Sequence, residues 1–235
     1  MTTAASQLQE KKARNDLFMI VGVTFAVLGV LALTKDGYTS FGKDPSQPIL
    51  LRTLLAALME FGVAGLGITV AAIFRKDSFF SHGLQAKGAL PSIVLSVLCA
   101  VPSVIFLFVS GRADGYLPFQ SVWVTKEVLA SGFPINAIGM ALIALSWGFF
   151  EGFNYVFIAD VVNKMSPPKN MWVNWGAISC AIMCVLVHGA IGVTAAGIAD
   201  MLTTMVWIYG MLIVRERTGN GWGPVFTFVF LWNAF

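Results

Sequence analysis

Long apolar stretches, separated by short polar segments, are the dominant pattern of this chain. An α-helix needs about 20 mainly apolar residues to cross a lipid bilayer. The pattern predicts seven membrane helices, at about residues 17–34, 51–74, 90–110, 135–161, 171–189, 193–214 and 222–235, with a turn near 189–192. The seventh stretch, of about 14 residues, is short for a span. The expected fold class is all-α, a polytopic transmembrane helical bundle of seven spans, or eight at most.

The composition supports this fold class. Only 11% of the 235 residues are charged and 57% are hydrophobic, whereas a soluble domain carries about 25% charged residues. The apolar stretches lack a period-2 alternation, which argues against a transmembrane β-barrel. Residues 1–16 form a polar N-terminal segment, and no small-residue cleavage site follows the first apolar stretch. We therefore expect that stretch to be retained, and residues 17–235 to form one transmembrane domain.

The basic residues predict an orientation, because cytoplasmic loops carry an excess of Lys and Arg. With the N-terminus inside, ten basic residues fall in inner segments: Lys11, Lys12, Arg14, Arg75, Lys76, Lys87, Lys164, Lys169, Arg215 and Arg217. Five fall in outer segments: Lys35, Lys43, Arg52, Arg112 and Lys126. The pattern favours an integral protein of the cell membrane with a cytoplasmic N-terminus. A net charge of +3 is too small to suggest a nucleic-acid partner, so the lipid bilayer is the expected partner.

Three polar residues lie inside three different apolar stretches: Glu151, His188 and Asn233. A polar side chain in hydrocarbon costs free energy unless it has a partner or a task. These three are therefore the candidate site residues. Glu60 and Asp200 are weaker candidates of the same kind.

Glu151 is expected to face the interior of the bundle, where a carboxylate can take a proton from water as a general base. Asn154 and Tyr155 follow it by three and four residues and lie on the same helical face, within reach of a hydrogen bond. The alternative is a protonated Glu that bridges two helices. The residues alone leave both interpretations open.

His188 follows Cys180 and Cys184 at intervals of four, so the three side chains form one stripe on a helix. Thiols and imidazoles bind metals, but the chain has no CxxC pair, and small cysteines are common in packed helix faces. We expect neither a metal nor a cofactor. A His that acts with Glu151 on a water is favoured, with a purely structural His as the alternative. The amide of Asn233 could stabilise an oxyanion, or join two helices.

The order of these motifs resembles a known family. An intramembrane Glu151 is followed by a helix that ends in His188-Gly189, a Tyr-Gly-containing helix, an Arg-Thr-Gly turn with Trp and Pro, and Leu-Trp-Asn233-Ala. This resembles the CAAX proteases and bacteriocin-processing enzymes (the CPBP family), which are intramembrane glutamate proteases. Their pattern is Glu-Glu-x-x-x-Arg, Phe-x-x-x-His and His-x-x-x-Asn on successive core helices. The resemblance covers about residues 145–235.

The chain also departs from the family pattern. Gly152 stands where the second Glu is expected, Val156 replaces the Arg, Cys184 the Phe, and Val229 the His of the third motif. The resemblance implies that Glu and His activate a water for attack on a peptide carbonyl while His and Asn hold the oxyanion. Loss of one oxyanion donor typically costs about 10²–10³ in rate. The resemblance thus implies an endopeptidase homologue, either active or catalytically impaired.

The sequence bears on other classes of function as well. A non-enzymatic membrane scaffold or accessory subunit, which binds a partner subunit rather than a membrane-embedded peptide substrate, is the main alternative. A transporter is disfavoured because the two halves show no sequence repeat. A retinal protein needs a Schiff-base Lys in its last helix. No Lys follows Lys169, so this class is disfavoured as well.

Overall fold

The computed structural model describes residues 4–189 and 193–235, and within these ranges it is helical without any β-strand. The all-α prediction is confirmed for this part of the chain. The helices that it contains are α1 (Ala4–Lys43), α2 (Ile49–Arg75), α3 (Ala89–Val109), α4 (Thr125–Ala130), α5 (Ile135–Met165), α6 (Trp175–Val187), α7 (Ala195–Thr218) and α8 (Trp222–Trp232).

Five of these helices, α1, α2, α3, α5 and α7, are long and apolar enough to cross a membrane. They indicate a membrane-embedded protein. α6 and α8 coincide with the fifth and seventh predicted stretches, but they are apolar helices of fewer than 18 residues. At 1.5 Å per residue, the 13 residues of α6 span only about 20 Å. The predicted span at 171–189 is therefore too long, and part of the turn predicted near 189–192 lies outside the described residues.

Capping residues determine where the helices begin and end, and these positions differ from the ends that the apolar pattern predicts. Asn174 caps α6, because its side-chain oxygen accepts a hydrogen bond of 2.9 Å from the backbone N–H of Ala177. Thr194 caps α7 by accepting from Gly197 N–H. Gly219 ends α7 with a positive φ of 64°, a backbone conformation that glycine adopts without strain. The polar N-terminal segment is also helical from Ala4 and continuous with the first apolar stretch.

Ion pairs and shared grooves define what we call the N-terminal end of the bundle. Arg75, at the end of α2, pairs with Asp16 of α1 at 2.6 Å. Asp160 near the end of α5 pairs with Arg215 near the end of α7. Lys164 lines a groove together with Lys12. Helices α2, α5 and α7 therefore run toward this end, and α1 runs away from it.

The opposite end, which we call the far end, is covered by residues 111–134. Phe119, Val122 and Val128 of this segment are buried, and Arg52 of α2 pairs with Glu127 of α4. The segment also reaches the chain's last residues, since Leu117 N–H donates to Ala234 O at 3.0 Å. Irregular backbone can lie within membrane depth where protein surrounds it.

Three π-helical segments interrupt the regular helices, at Phe61–Gly65 in α2, Ala144–Phe150 in α5 and Phe228–Trp232 in α8. The segment in α5 packs against both of the others. Such segments are rare and frequently mark functional sites. Each one adjoins a polar residue: Glu60, Glu151 and Asn233, respectively.

Candidate functional site

Glu151 lies at the centre of the bundle, directly after the π-helical segment of α5. The residue is buried, with 5% of its surface exposed. Its position is determined by close packing of α5 on α8. Gly148 and Gly152 flank Glu151 and form a small-xxx-small pair against Val229 and Phe228. The carboxyl is consequently held inside the protein and faces away from lipid.

His188 lies at the C-terminal end of α6 and approaches Glu151. Its Nε2 atom is 3.5 Å from Glu151 Oε1, which is longer than the usual N–H···O hydrogen bond of about 2.7–3.2 Å. The ring packs edge-to-face on Trp232, with 5.3 Å between the ring centroids. Because α6 is short, the imidazole is delivered to the level of Glu151 and not to the end of the bundle.

Asn233 follows the π-helical segment at the end of α8. Its Oδ1 accepts a hydrogen bond of 2.7 Å from Ser121 of the far-end segment. Its Nδ2 is buried and has no acceptor within hydrogen-bond geometry. The side chains of Asn233 and Trp232 are near enough to the Glu151 carboxyl to interact with it. A buried donor without an acceptor is costly, typically by about 1–3 kcal/mol, and the nearest group that could compensate for this cost is the Glu151 carboxyl.

The structure thus brings together the three residues that the sequence singled out, whereas their catalytic role stays a prediction. Tyr155, also expected near Glu151, faces both that carboxyl and the Cys184 thiol. No hydrogen bond joins Asn154 to Glu151. Cys180 donates to the Tyr155 carbonyl oxygen at 3.5 Å, which is a packing contact between α5 and α6.

Metal-ligating side chains do not cluster in the part of the chain that the structure describes. Within residues 4–189 and 193–235, no group of three or more His, Cys, Asp or Glu side chains could hold a metal ion. Cys180 and Cys184 are buried within the core. The stripe of two cysteines and His188 therefore divides: the thiols pack inside, and the imidazole meets Glu151.

The positions where the chain departs from the family pattern are occupied by tight packing. A Cβ atom on Gly152 would lie 2.9 Å from the Phe228 Cβ, closer than real Cβ contacts. Val156 is fully buried, and Val229 fills the space beside Gly148. Gly152, Val156 and Val229 thus lie in apolar packing at the positions where the resemblance implies polar groups.

Two groups of polar residues were missed by sequence reasoning or underrated by it. The carboxyl of Glu60 on α2 is within electrostatic range of Glu151, and Asp200 pairs with Arg112 at 2.6 Å, away from the site. At the N-terminal end, buried His82 contacts Asp160 through Nδ1 at 2.8 Å. None of these interactions has a local sequence signal, because the two partners in each lie far apart along the chain.

Asp77 completes the cluster at the N-terminal end. Its Oδ2 lies 3.2 Å from His82 Nε2, and its Oδ1 accepts from the Ser81 hydroxyl at 2.7 Å. Burial acts to raise the pKa of Asp77, but hydrogen bonds from Ser81 and from Ser78 N–H, with attraction to His82, hold that pKa below its usual range. This cluster anchors the connection between α2 and α3 and is separate from the Glu151 site.

Comparison of the chain with protein-family models, with curated proteins and with solved structures found no match.

Proposed function

We propose that this protein is a divergent CPBP-like, CAAX-protease-like intramembrane endopeptidase homologue, with Glu151, His188 and Asn233 as its site. The observation that carries the proposal is the approach of His188 Nε2 to Glu151 Oε1 at 3.5 Å, beside the amide of Asn233. A base, a second proton carrier and an oxyanion donor are the groups that hydrolysis of a peptide bond requires. The motif order described above adds support.

The proposed reaction is peptide hydrolysis by an activated water. Glu151 takes a proton from water while His188 orients it, and the oxygen forms a bond to the scissile carbonyl carbon. Asn233 Nδ2 donates to the developing oxyanion. The tetrahedral intermediate collapses as the C–N bond breaks, and the proton held by Glu151 passes to the leaving nitrogen. The products are a carboxylic acid and an amine.

We expect this hydrolysis to be slow. Val229 supplies no oxyanion donor, and loss of one donor costs about 10²–10³ in rate. Gly152 and Val156 also leave the site without the second carboxylate and the Arg that the resemblance implies. The substrate class that fits is a membrane-embedded peptide, because the site lies between helices that are long and apolar enough to span a bilayer.

We also propose the membrane arrangement within which this site works: seven crossings in the cell membrane, with α6 and α8 as partial ones, and a cytoplasmic N-terminus. Lys12 and Lys164 line one groove at the N-terminal end, and Arg75 and Arg215 lie at the same end. Basic residues at the ends of membrane helices favour the cytoplasmic side.

The test is cleavage of transmembrane peptides by the purified full-length chain in proteoliposomes. We expect slow cleavage that Glu151→Gln abolishes, because glutamine keeps the shape of the side chain but cannot take the proton. Asn233→Ala should reduce the rate by about 10²–10³. Glu216→Gln, an exposed change at the N-terminal end, is the matched control and should keep the wild-type rate.

Cleavage that persists in Glu151→Gln would contradict the assigned base. A wild-type chain that cleaves nothing across a broad peptide library would favour the non-enzymatic alternative, a scaffold or accessory subunit. One contact favours that alternative: Ser121 donates to Asn233 Oδ1 at 2.7 Å and fixes the far-end segment over the site. In that case Glu151 and His188 would join helices rather than bind substrate.

A further inference from the structure

Glu60 immediately precedes the π-helical segment of α2, just as Glu151 immediately follows that of α5. Helices α2 and α5 run in the same direction, from the far end toward the N-terminal end, and the two π-helical segments pack on each other. Two polar residues beside packed π-helical segments suggest one shared site, since such segments frequently mark functional positions.

A hydrogen bond fixes the relative height of the two helices. The Ser146 hydroxyl of α5 donates to Ala57 O of α2 at 3.0 Å, and both residues are buried at this contact. Glu60 lies about one α-helical turn beyond Ala57, and Glu151 lies one π-helical turn beyond Ser146. Because the helices are parallel, both carboxyls lie about one turn from this hydrogen bond, on the side of the N-terminal end.

Side-chain packing also holds α2 and α5 close together beside the two carboxyls. Phe61, next to Glu60, packs edge-to-face on Phe150, next to Glu151, with 4.7 Å between the ring centroids. The two rings fill the space beside Gly65. The carboxyls of Glu60 and Glu151 lie within electrostatic range of each other.

Glu60 has no cationic partner in the part of the chain that the structure describes. Its neighbouring titratable groups are Glu151 from α5 and Tyr38 from α1. Arg52 lies on the same helix but about two turns away, and it pairs with Glu127. The titratable groups that face Glu151 from its own side are His188 and Tyr155. Two neighbouring carboxylates without a cation repel each other strongly when they are away from water.

We propose that Glu60 and Glu151 form a carboxyl pair that binds one shared proton within the bundle. Two strongly interacting carboxyls lose their protons in two separate steps, so one charged and one neutral carboxyl coexist over a wide pH range. While the pair holds one proton, it also holds one carboxylate, which is available as a base beside His188. The role assigned to Glu60 in hydrolysis rests on the proposed function, and it is that of a positioning residue that acts through Glu151.

Infrared titration of the carboxyl bands tests the pair directly, on the full-length protein in detergent. Glu60→Gln and Glu151→Gln each remove one carboxyl and keep its shape. In each variant the midpoint of the remaining carboxyl should move to lower pH by about 1 unit or more, the strength at which two sites titrate as a pair. Glu216→Gln should leave both midpoints unchanged.

Unchanged midpoints in the two site variants would overturn the pair. If one variant fails to fold, the reciprocal variant still reports the coupling, because each carboxyl shifts the other equally. In proteoliposomes that cleave peptide, Glu60→Gln should also move the acidic limb of the pH–rate profile to lower pH, which a purely structural change would not do. Coupled carboxyls in a chain without peptidase activity would support the pair and contradict the proposed function.

Discussion

At the scale of single residues, the site depends on glycines as much as on its polar groups. Gly148 and Gly152 let α8 approach α5 closely, and this approach brings Asn233 near Glu151. A Glu at position 152 would meet the same Phe228 atoms as any other side chain. A second carboxylate at this position is therefore incompatible with the packing of α8, and a single substitution would not introduce it.

We expect Gly152→Ala to destabilise the protein by about 1–3 kcal/mol, because the added methyl group would lie 2.9 Å from the Phe228 Cβ. A matched control is Gly22→Ala in α1, where a Cβ meets no atom within 4 Å. That change should be neutral or stabilising by up to about 1 kcal/mol, since alanine favours a helix interior. Melting temperatures in one detergent give the comparison, and equal effects of the two changes would contradict the packing argument.

Several residues of the candidate site could be predicted from the sequence, and others could not. Glu151, His188 and Asn233 stand out because each is a polar residue in an apolar stretch, a signal that needs no partner. The pair that we propose between Glu60 and Glu151 is different, because it depends on the register of α2 against α5. Hydrophobic periodicity gives helices and faces but not register, so a pair of this kind is found only in the folded chain.

At the scale of elements, the connection between α2 and α3 is held by a charge cluster that the apolar pattern does not show. His82 is buried between Asp77 and Asp160, and Asp160 also pairs with Arg215. A 3₁₀-helical turn over Phe79–His82 occupies this connection. The cluster ties α2, α5 and α7 together at the N-terminal end, and its Asp77 carboxylate should make it sensitive to acid.

The pKa of Asp77 predicts the direction of this sensitivity. Because this pKa is lowered in the folded protein, its stabilising contribution is present above the unfolded value of about 3.9 and is lost as pH falls through the folded pKa. Ser81→Ala removes the hydrogen bond that the Ser81 hydroxyl donates to the Asp77 carboxylate, so the pKa of Asp77 should rise toward the usual range. We expect a loss below about 1 kcal/mol at neutral pH, reduced by the partial exposure of Asp77.

Melting temperatures of wild type and Ser81→Ala between about pH 3 and 7 test this prediction, because the unfolded carboxylate pKa lies within that window. The difference between the two proteins should shrink as the pH falls through the low end of the window. Ser131→Ala is the control, since it removes a hydrogen bond of 2.8 Å to a backbone carbonyl and touches no carboxylate. A Ser81→Ala difference that stays constant with pH would show that the hydrogen bond does not act through Asp77.

The helices also show which structural features an apolar sequence pattern predicts and which it does not. The existence and order of the apolar helices follow from hydrophobicity alone. Their ends do not, because Asn174 and Thr194 begin α6 and α7 by accepting hydrogen bonds from backbone N–H groups. The short length of α6 matters for the candidate site, since it is what brings His188 to the depth of Glu151.

At the scale of the whole molecule, the two ends of the bundle differ in charge and in construction. Both ends carry ion pairs, but two lysines line a groove at the N-terminal end, whereas apolar residues of the 111–134 segment cover the far end. The site lies below that cover, where Ser121 meets Asn233. A substrate segment that enters laterally, between helices, would not need to displace the N-terminal cluster.

This asymmetry predicts which end faces the cytoplasm. Basic residues concentrate at the N-terminal end, and such residues are retained on the cytoplasmic side. Lys164→Cys and Lys126→Cys form a matched pair of exposed positions at opposite ends. With the partly buried native thiol of Cys99 removed by Cys99→Ser, a membrane-impermeant thiol reagent applied to intact cells should label position 126 and leave position 164 unlabelled until the cells are opened. Labelling of position 164 from outside would reverse the orientation and place the Glu151 site below the opposite membrane surface.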